Sequence, residues 1–381
     1  MRKTLRATCA IGAACLVALG VSSRAQAQTA PVKKLDAPAG ISSEAAAKAV
    51  PLDVRLKTLP PEAMGDKKAS EPLTGKPAIH QGDAGQAGQA ADGGAPDRLA
   101  APEGGIVPQN YGAGNLGTIY HYTDLLIDPS LRKKYPYRPS GWFVFTAASG
   151  GTFRCTATLI SKSILVTAGH CVHGGGGGSA NYIKSGIFYP AYANGAAPYG
   201  SASAAYVLTT SGWYNTGALD QGYDVGLVVL NNRSGTTTEI GNYTGWFSFC
   251  YSNCLQSYWY LTQHGYPGNL YNGTVLTQSQ HLEASDTRDY VLGSGMQGGS
   301  SGGPHIANLG SISDSSTNQG QWPYRNVIFA VTSWGYIDQT LKIQGAPSLS
   351  GPGNSNNFQA MFNTMCNLSR GLHGSASCTT L

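Results

Sequence analysis

TFRCTATLISKSILVTAGHCV, Thr152–Val172, decides how the rest of this sequence is read. Its two runs, TFRCTATLI (152–160) and SILVT (163–167), are short and rich in β-branched and aromatic residues, so both read as strands. The second runs directly into a histidine and a cysteine, His170 and Cys171. VGLVVL (225–230) and NVIFAVTSW (326–334) have the same character, and clusters of Gly, Asn, Ser and Pro separate all four runs. That pattern predicts an all-β fold, a barrel or a sandwich. Only one segment has helical periodicity: Asn357 to about Arg370, with Phe358, Met361, Phe362, Met365 and Cys366 on one face.

The N-terminal part differs in kind. MRKTLRATCAIGAACLVALGVSSRAQAQ has basic residues, an apolar run and then Ala25-Gln26-Ala27, the three parts of a secretory signal, so residues 1–27 are expected to be removed. No later segment holds the roughly 18 consecutive apolar residues of a membrane span. Residues 28–105 are rich in Ala, Gly, Pro and Lys, and no Phe, Tyr or Trp precedes Tyr111. Such a segment cannot bury enough apolar surface to offset its chain entropy. It reads either as a disordered linker or as a propeptide that orders only against its partner, chaperoning folding, blocking a cleft or merely linking. The folded domain is expected at 106–381.

The net charge of +5 excludes little. Residues 1–105 hold 13 Lys/Arg against 10 Asp/Glu, and the rest hold 12 against 10, so the folded part has no basic stripe to suit nucleic acid. Removal of the signal leaves six cysteines as the sequence-close pairs Cys155/Cys171, Cys250/Cys254 and Cys366/Cys378. In an exported chain this spacing suggests three local disulfides. A zinc site is the rival reading, with no CxxC or His/Cys cluster to support it.

Three residues stand out chemically. His170 follows an apolar strand, beside a cysteine whose partner would fix the direction of the imidazole, as a general base requires. Asp224 immediately precedes VGLVVL, where an acid either caps a strand or orients an imidazole. GSGMQGGSSGGPHI (293–306) reads as a linker on composition alone. It also suits a serine nucleophile, with the backbone N–H groups of Gly299 and Ser301 aimed at a developing oxyanion.

TAGHC, DVGLVVL and GGSSGGP, in that order and followed by TSWG, resemble the trypsin/chymotrypsin-like serine protease family. YPYRPSGWFVF (135–145) and GYPGN (265–269) point within it to the bacterial V8-like, glutamyl-endopeptidase-like branch. The resemblance runs from about Tyr135 to the C-terminus. It implies two perpendicular six-stranded β-barrels, at about 135–245 and 256–350, and a C-terminal helix at about 357–370. His170 matches the general base, Asp224 its orienting acid, Ser301 the nucleophile, and Gly299 with Ser301 the oxyanion donors. Ser333-Trp334-Gly335 matches the strand that pairs with substrate backbone and walls the specificity pocket. Cys155–Cys171 matches the family's disulfide beside the histidine.

Some positions depart from the family. Ser300 stands where relatives carry Asp or Asn. Gly295 stands where trypsin-like enzymes place a pocket-base aspartate, which disfavours cleavage after Lys or Arg. Met296 and Thr332/Ser333 replace the residues of acid-specific relatives, so an apolar or uncharged pocket is expected. The resulting expectation is a secreted, monomeric serine endopeptidase acting on proteins or peptides, with its own propeptide as a partner. It implies no metal, no organic cofactor, no nucleic acid and no membrane. Two rivals are a non-catalytic binding module on the same fold and an α/β-hydrolase. The latter would use Ser300 or Ser301 with Asp314 or Asp338 and His373, but it needs alternating helices and parallel strands.

Overall fold

The computed structural model describes residues 29–36, 41–56, 78–86, 110–113, 121–127, 129–252, 254, 260–285, 289–310, 325–350 and 357–381. The expected signal segment and the start of the expected domain at residue 106 lie outside them. Six strands close into a barrel: β1 (Ser140–Thr146), β2 (Thr152–Leu159), β3 (Ile164–Thr167), β4 (Ser185–Pro190), β5 (Ala202–Thr209) and β6 (Gly226–Leu230). Antiparallel pairing runs β4–β1–β2–β3–β6–β5 and back to β4, which leaves no open edge around the ring.

Side chains alternate between the two faces of each strand. In β3, Leu165 points into the barrel core with Phe143, Phe145, Phe188 and Val228. Ile164 and Val166 point outward, against the C-terminal helix, Asn357–His373. Likewise Val228 and Leu230 of β6 face inward, while Leu227 and Val229 meet the helix side. Burial of both faces explains why these runs are apolar throughout and not alternating. The five residues of the expected helix face, Phe358, Met361, Phe362, Met365 and Cys366, are fully buried. Each such side chain is worth about 2 kcal/mol of burial, which is enough to hold this helix, much longer than the short helices Ser43–Ala47, Pro129–Arg132, Ser211–Thr216 and Gly241–Thr244, in place. Disulfides join Cys155–Cys171, Cys250–Cys254 and Cys366–Cys378.

The second half is built from β7 (Ser248–Ser252), β8 (Tyr260–Gly265), β9 (Thr277–Ser285), β10 (Asp289–Gly293), β11 (Pro304–Ala307), β12 (Val327–Val331), β13 (Trp334–Tyr336) and β14 (Ile343–Pro347). Pairing runs β14–β10–β9–β8–β11–β12. A bridge between Ala330 and Ser348 returns from β12 to the end of β14. Further strands join this sheet: β13 pairs with β14, β7 lies parallel to β12, and His121–Leu126 pairs with β9 and with Asn110–Ala113.

Three described stretches of the segment expected to be disordered on its own are seated on this body. Lys33–Lys34 pairs with β5, Val50–Pro51 with β2, Arg55–Leu56 with β13 and Ala78–His80 with β7. Backbone hydrogen bonds to a preformed sheet edge supply the order that the segment's own side chains cannot.

Between the halves lies His264, fully buried. Its Nδ1 is 3.0 Å from Ser140 Oγ, and its ring stacks on Tyr137. Burial pushes its pKa from 6.5 down to about 3, so the folded protein keeps this imidazole neutral. His80 and His173 are shifted in the same direction, again chiefly by burial. Below pH 6.5 the unfolded chain therefore binds more protons than the folded one, and stability falls as pH drops from about 6.5 toward about 3. With about 1.4 kcal/mol per unit as the upper limit, urea unfolding at pH 4.5 is expected to show a loss of about 2–3 kcal/mol relative to pH 7 from His264. His264→Phe is expected to flatten that dependence, and an unchanged slope would refute the assignment.

Candidate active site

His170 leaves β3 in a single helical turn, Gly169–Cys171, and the Cys155–Cys171 disulfide ties that turn to β2. Asp224 immediately precedes β6, which pairs with β3, so the sheet itself brings the two residues together. Asp224 Oδ2 lies 2.6 Å from His170 Nδ1, and Oδ1 accepts the His170 backbone N–H at 2.7 Å. Ser333, from the other half of the molecule, donates its hydroxyl to Asp224 Oδ2 at 2.5 Å. The carboxylate is wholly buried, and these three bonds hold it. They fix the imidazole so that Nδ1 faces the acid and Nε2 is turned the other way. Nε2 is buried with no hydrogen-bond partner among the described residues. A ring held in this way is ready to take a proton on that nitrogen.

The loop Gly299–Gly303 is clasped by both halves. Thr156 of β2 donates its N–H to Ser301 O at 2.8 Å and its hydroxyl to Gly299 O at 2.9 Å. From the other side, Gly302 N–H donates to Thr332 O at 2.7 Å. Gly299 has φ +96° and Gly302 has φ +79°, both in the left-handed region where side chains are disfavoured. The two serines have different surroundings. Ser300 Oγ donates to Gln297 O at 2.7 Å and accepts from Gln344 Nε2 at 3.1 Å, so its hydroxyl belongs to the pocket wall. Ser301 is the serine tied to the His170 side of the cleft.

Next to Ser301 is a cavity lined by Ser294, Met296, Ser300, Ser333, Trp334 and Gln344 among others, with Lys342 and Asp338 also on its wall. Of the residues expected to bind substrate, Met296, Ser333, Trp334 and Gly335 line it. Gly295 and Thr332 stand behind the wall: Gly295 O accepts from Asn269 Nδ2 at 2.9 Å, and Thr332 Oγ1 accepts from Gln263 Nε2 at 2.7 Å. Gln263 also donates to Gln344 Oε1 at 2.8 Å and accepts from Ser294 Oγ at 3.0 Å. This neutral network of hydroxyls and amides was not foreseen from the sequence. Its members come from separated strands, and no local motif joins them.

The segment 50–56 crosses the cleft. Gly299 N–H, an expected oxyanion donor, bonds to Leu52 O at 2.8 Å, and Asp53, Val54 and Arg55 line the cavity. The one metal-type cluster among the described residues is Cys155, His170 and Cys171, whose sulfurs are spent in a disulfide. The residues of the α/β-hydrolase alternative are not assembled. His373, at the end of the C-terminal helix, has its Nε2 2.8 Å from Leu230 O of β6, Asp338 is fully exposed, and Asp314 lies outside the described residues.

A family model described as Trypsin matches residues 132–344. The glutamyl endopeptidase of Bacillus licheniformis is 29% identical over 170 residues, which cover 45% of this chain and 49% of that protein. A Bacillus subtilis protein named extracellular metalloprotease is 27% identical over 161 residues, covering 42% and 48%. The chain spans about half the length of these curated relatives. Among solved structures, the protease Anisep of Arthrobacter nicotinovorans is similar with 26% identity and a TM-score of 0.47, over 60% of this chain and 95% of that chain.

Proposed function

This chain belongs to the trypsin family, and we propose that it is a secreted serine endopeptidase made as a precursor, with a signal at 1–27 and a pro-segment at 28–105. One observation carries the reading: a buried Asp224 holds His170 through two bonds, leaves its Nε2 without a partner among the described residues, and is itself bonded to Ser333, which lines the same cavity as Ser301. Ser301 Oγ attacks the carbonyl carbon while its proton passes to His170 Nε2. The N–H groups of Gly299 and Ser301 receive the oxyanion. Collapse of the tetrahedral adduct breaks the C–N bond, and His170 returns the proton to the departing amine. Water then repeats the sequence on the acyl-enzyme and restores Ser301.

The pocket supports a preference against Lys and Arg before the scissile bond: Ser294, Ser300, Ser333 and Gln344 offer only neutral hydroxyls and amides. Asp338 on the wall is exposed, accepts from Thr340 and shares that wall with Lys342, and Asp53 belongs to segment 50–56 and is paired with Arg55. The test takes chain freed of residues 28–105, labels one portion with a fluorophosphonate and uses a second, unlabelled portion to digest a proteome-derived peptide library. Labelling at Ser301 is expected, with cuts after Lys or Arg rare. No labelling of folded material would refute the enzyme reading, and dominant Lys/Arg cuts would refute the pocket reading.

A further inference from the structure

The segment in the cleft has a direction, and it is the wrong one for a substrate. Val50–Pro51 runs parallel to β2, and Leu52 N–H donates to Arg154 O at 3.0 Å. The chain then places Leu52 O on Gly299 N–H and continues past Ser301. Arg55–Leu56 runs parallel to β13, where Gly335 N–H donates to Val54 O at 3.3 Å and Arg55 Nη1 donates to Tyr336 O at 3.1 Å. Asp53 and Arg55 are also paired with each other, with Arg55 Nε 2.8 Å from Asp53 Oδ2.

A serine protease's specificity pocket receives the side chain of the residue whose carbonyl is attacked. The residues before that carbonyl therefore belong along the pocket wall, Ser333–Gly335, and the leaving amine belongs on the opposite side. Here the order is inverted. The residues before Leu52 lie on β2, and those after it, Asp53 to Leu56, lie along the pocket wall. The Leu52 side chain packs against the first barrel's core cluster, which contains Cys155 and Cys171, and not in the pocket.

We propose that Val50–Leu56 is an inhibitory strap that occupies the cleft in the reverse direction, filling an oxyanion donor without presenting a bond that Ser301 can cut. The cleft thus has a second ligand class besides substrates: a peptide of the strap's sequence, held by parallel pairing on β2 and β13. This rests on the serine endopeptidase reading and adds the regulation of the same site.

The test uses the full chain. Leu52→Pro removes the N–H bonded to Arg154, and Arg55→Ala removes the bonds to Tyr336 and Asp53. The double variant is expected to label with fluorophosphonate at least about tenfold faster than the parent. Adding the synthetic peptide Ala49–Leu56 in trans should slow the variant again, with the peptide recovered intact by mass spectrometry. Equal and fast labelling of parent and variant would overturn the strap while leaving the enzyme standing. So would cleavage of the peptide between Leu52 and Asp53, because that requires the substrate direction. If neither protein labels, even after removal of residues 28–105, the enzyme reading fails and the strap falls with it.

Discussion

Replacing Ser301 with alanine is expected to lower kcat on a peptide substrate by about 10⁶-fold, whereas Ser300→Ala should leave activity within about tenfold. The contrast follows from where each hydroxyl is engaged. Ser300 Oγ is committed to Gln297 O and Gln344 Nε2, so its loss disturbs the pocket wall. Ser301 sits on the loop whose carbonyl is tied to Thr156, and its hydroxyl has none of the pocket-wall bonds that engage Ser300. Asp224→Asn should cost about 10⁴-fold in kcat, because an amide that donates to Nδ1 would impose the wrong imidazole tautomer. Steady-state kinetics on chain freed of residues 28–105 measures all three. Near-parent activity in Ser301→Ala or Asp224→Asn would refute the assignment, and an inactive Ser300→Ala beside an active Ser301→Ala would exchange the serines.

Gly302→Ala is expected to be among the most damaging one-methyl changes at the described glycines. A Cβ there would lie 2.0 Å from Thr167 Oγ1 and 2.3 Å from Thr156 O, and the residue also has φ +79°. Thr167 Oγ1 is itself bonded to Thr156 O at 2.8 Å, so neither neighbour can yield without breaking the β2–β3 end that carries His170. Backbone strain and overpacking together should cost about 3–5 kcal/mol. The comparison variant is Gly310→Ala, also at positive φ but with nothing within 4 Å of its Cβ. It bears the backbone cost alone, about 1–2 kcal/mol. Equal losses in denaturant unfolding would show that crowding at Gly302 is not the cause.

These two predictions differ in how far the sequence alone supports them. The order His170, Asp224, Ser301 was legible because each residue is attached to an apolar run or a glycine turn that identifies it. The strands 152–160, 163–167, 225–230 and 326–334 were legible for a related reason. In 163–167, 225–230 and 327–331 both faces are covered, so the central residues are apolar in succession. By contrast, 152–160 alternates Thr152, Arg154, Thr156 and Thr158 with less polar residues and was legible from its β-branched and aromatic content. The crowding at Gly302 was not legible, since it depends on β2 and β3 residues more than 130 positions away. Nor was the network of Gln263, Gln344, Ser294 and Thr332, which exists only after four separate segments pair. The seat of Val50–Leu56 left no sequence signature either, because main-chain groups make most of its bonds, and those are the same for every residue.

The C-terminal helix has a further consequence. It follows the second half in sequence yet packs on β3, β5 and β6 of the first, as a latch reaching back across the molecule. His170 and Asp224 come from one half, Ser301 and Ser333 from the other, and the chain between β6 and β7 is their direct covalent link. A nick in that connection, between Leu230 and Ser248, would leave two fragments still clasped by the latch. Expressed separately, the fragments would each hold part of the catalytic machinery, and turnover would report their reunion. On the proposed reading, this connection is where the enzyme could be split and reassembled.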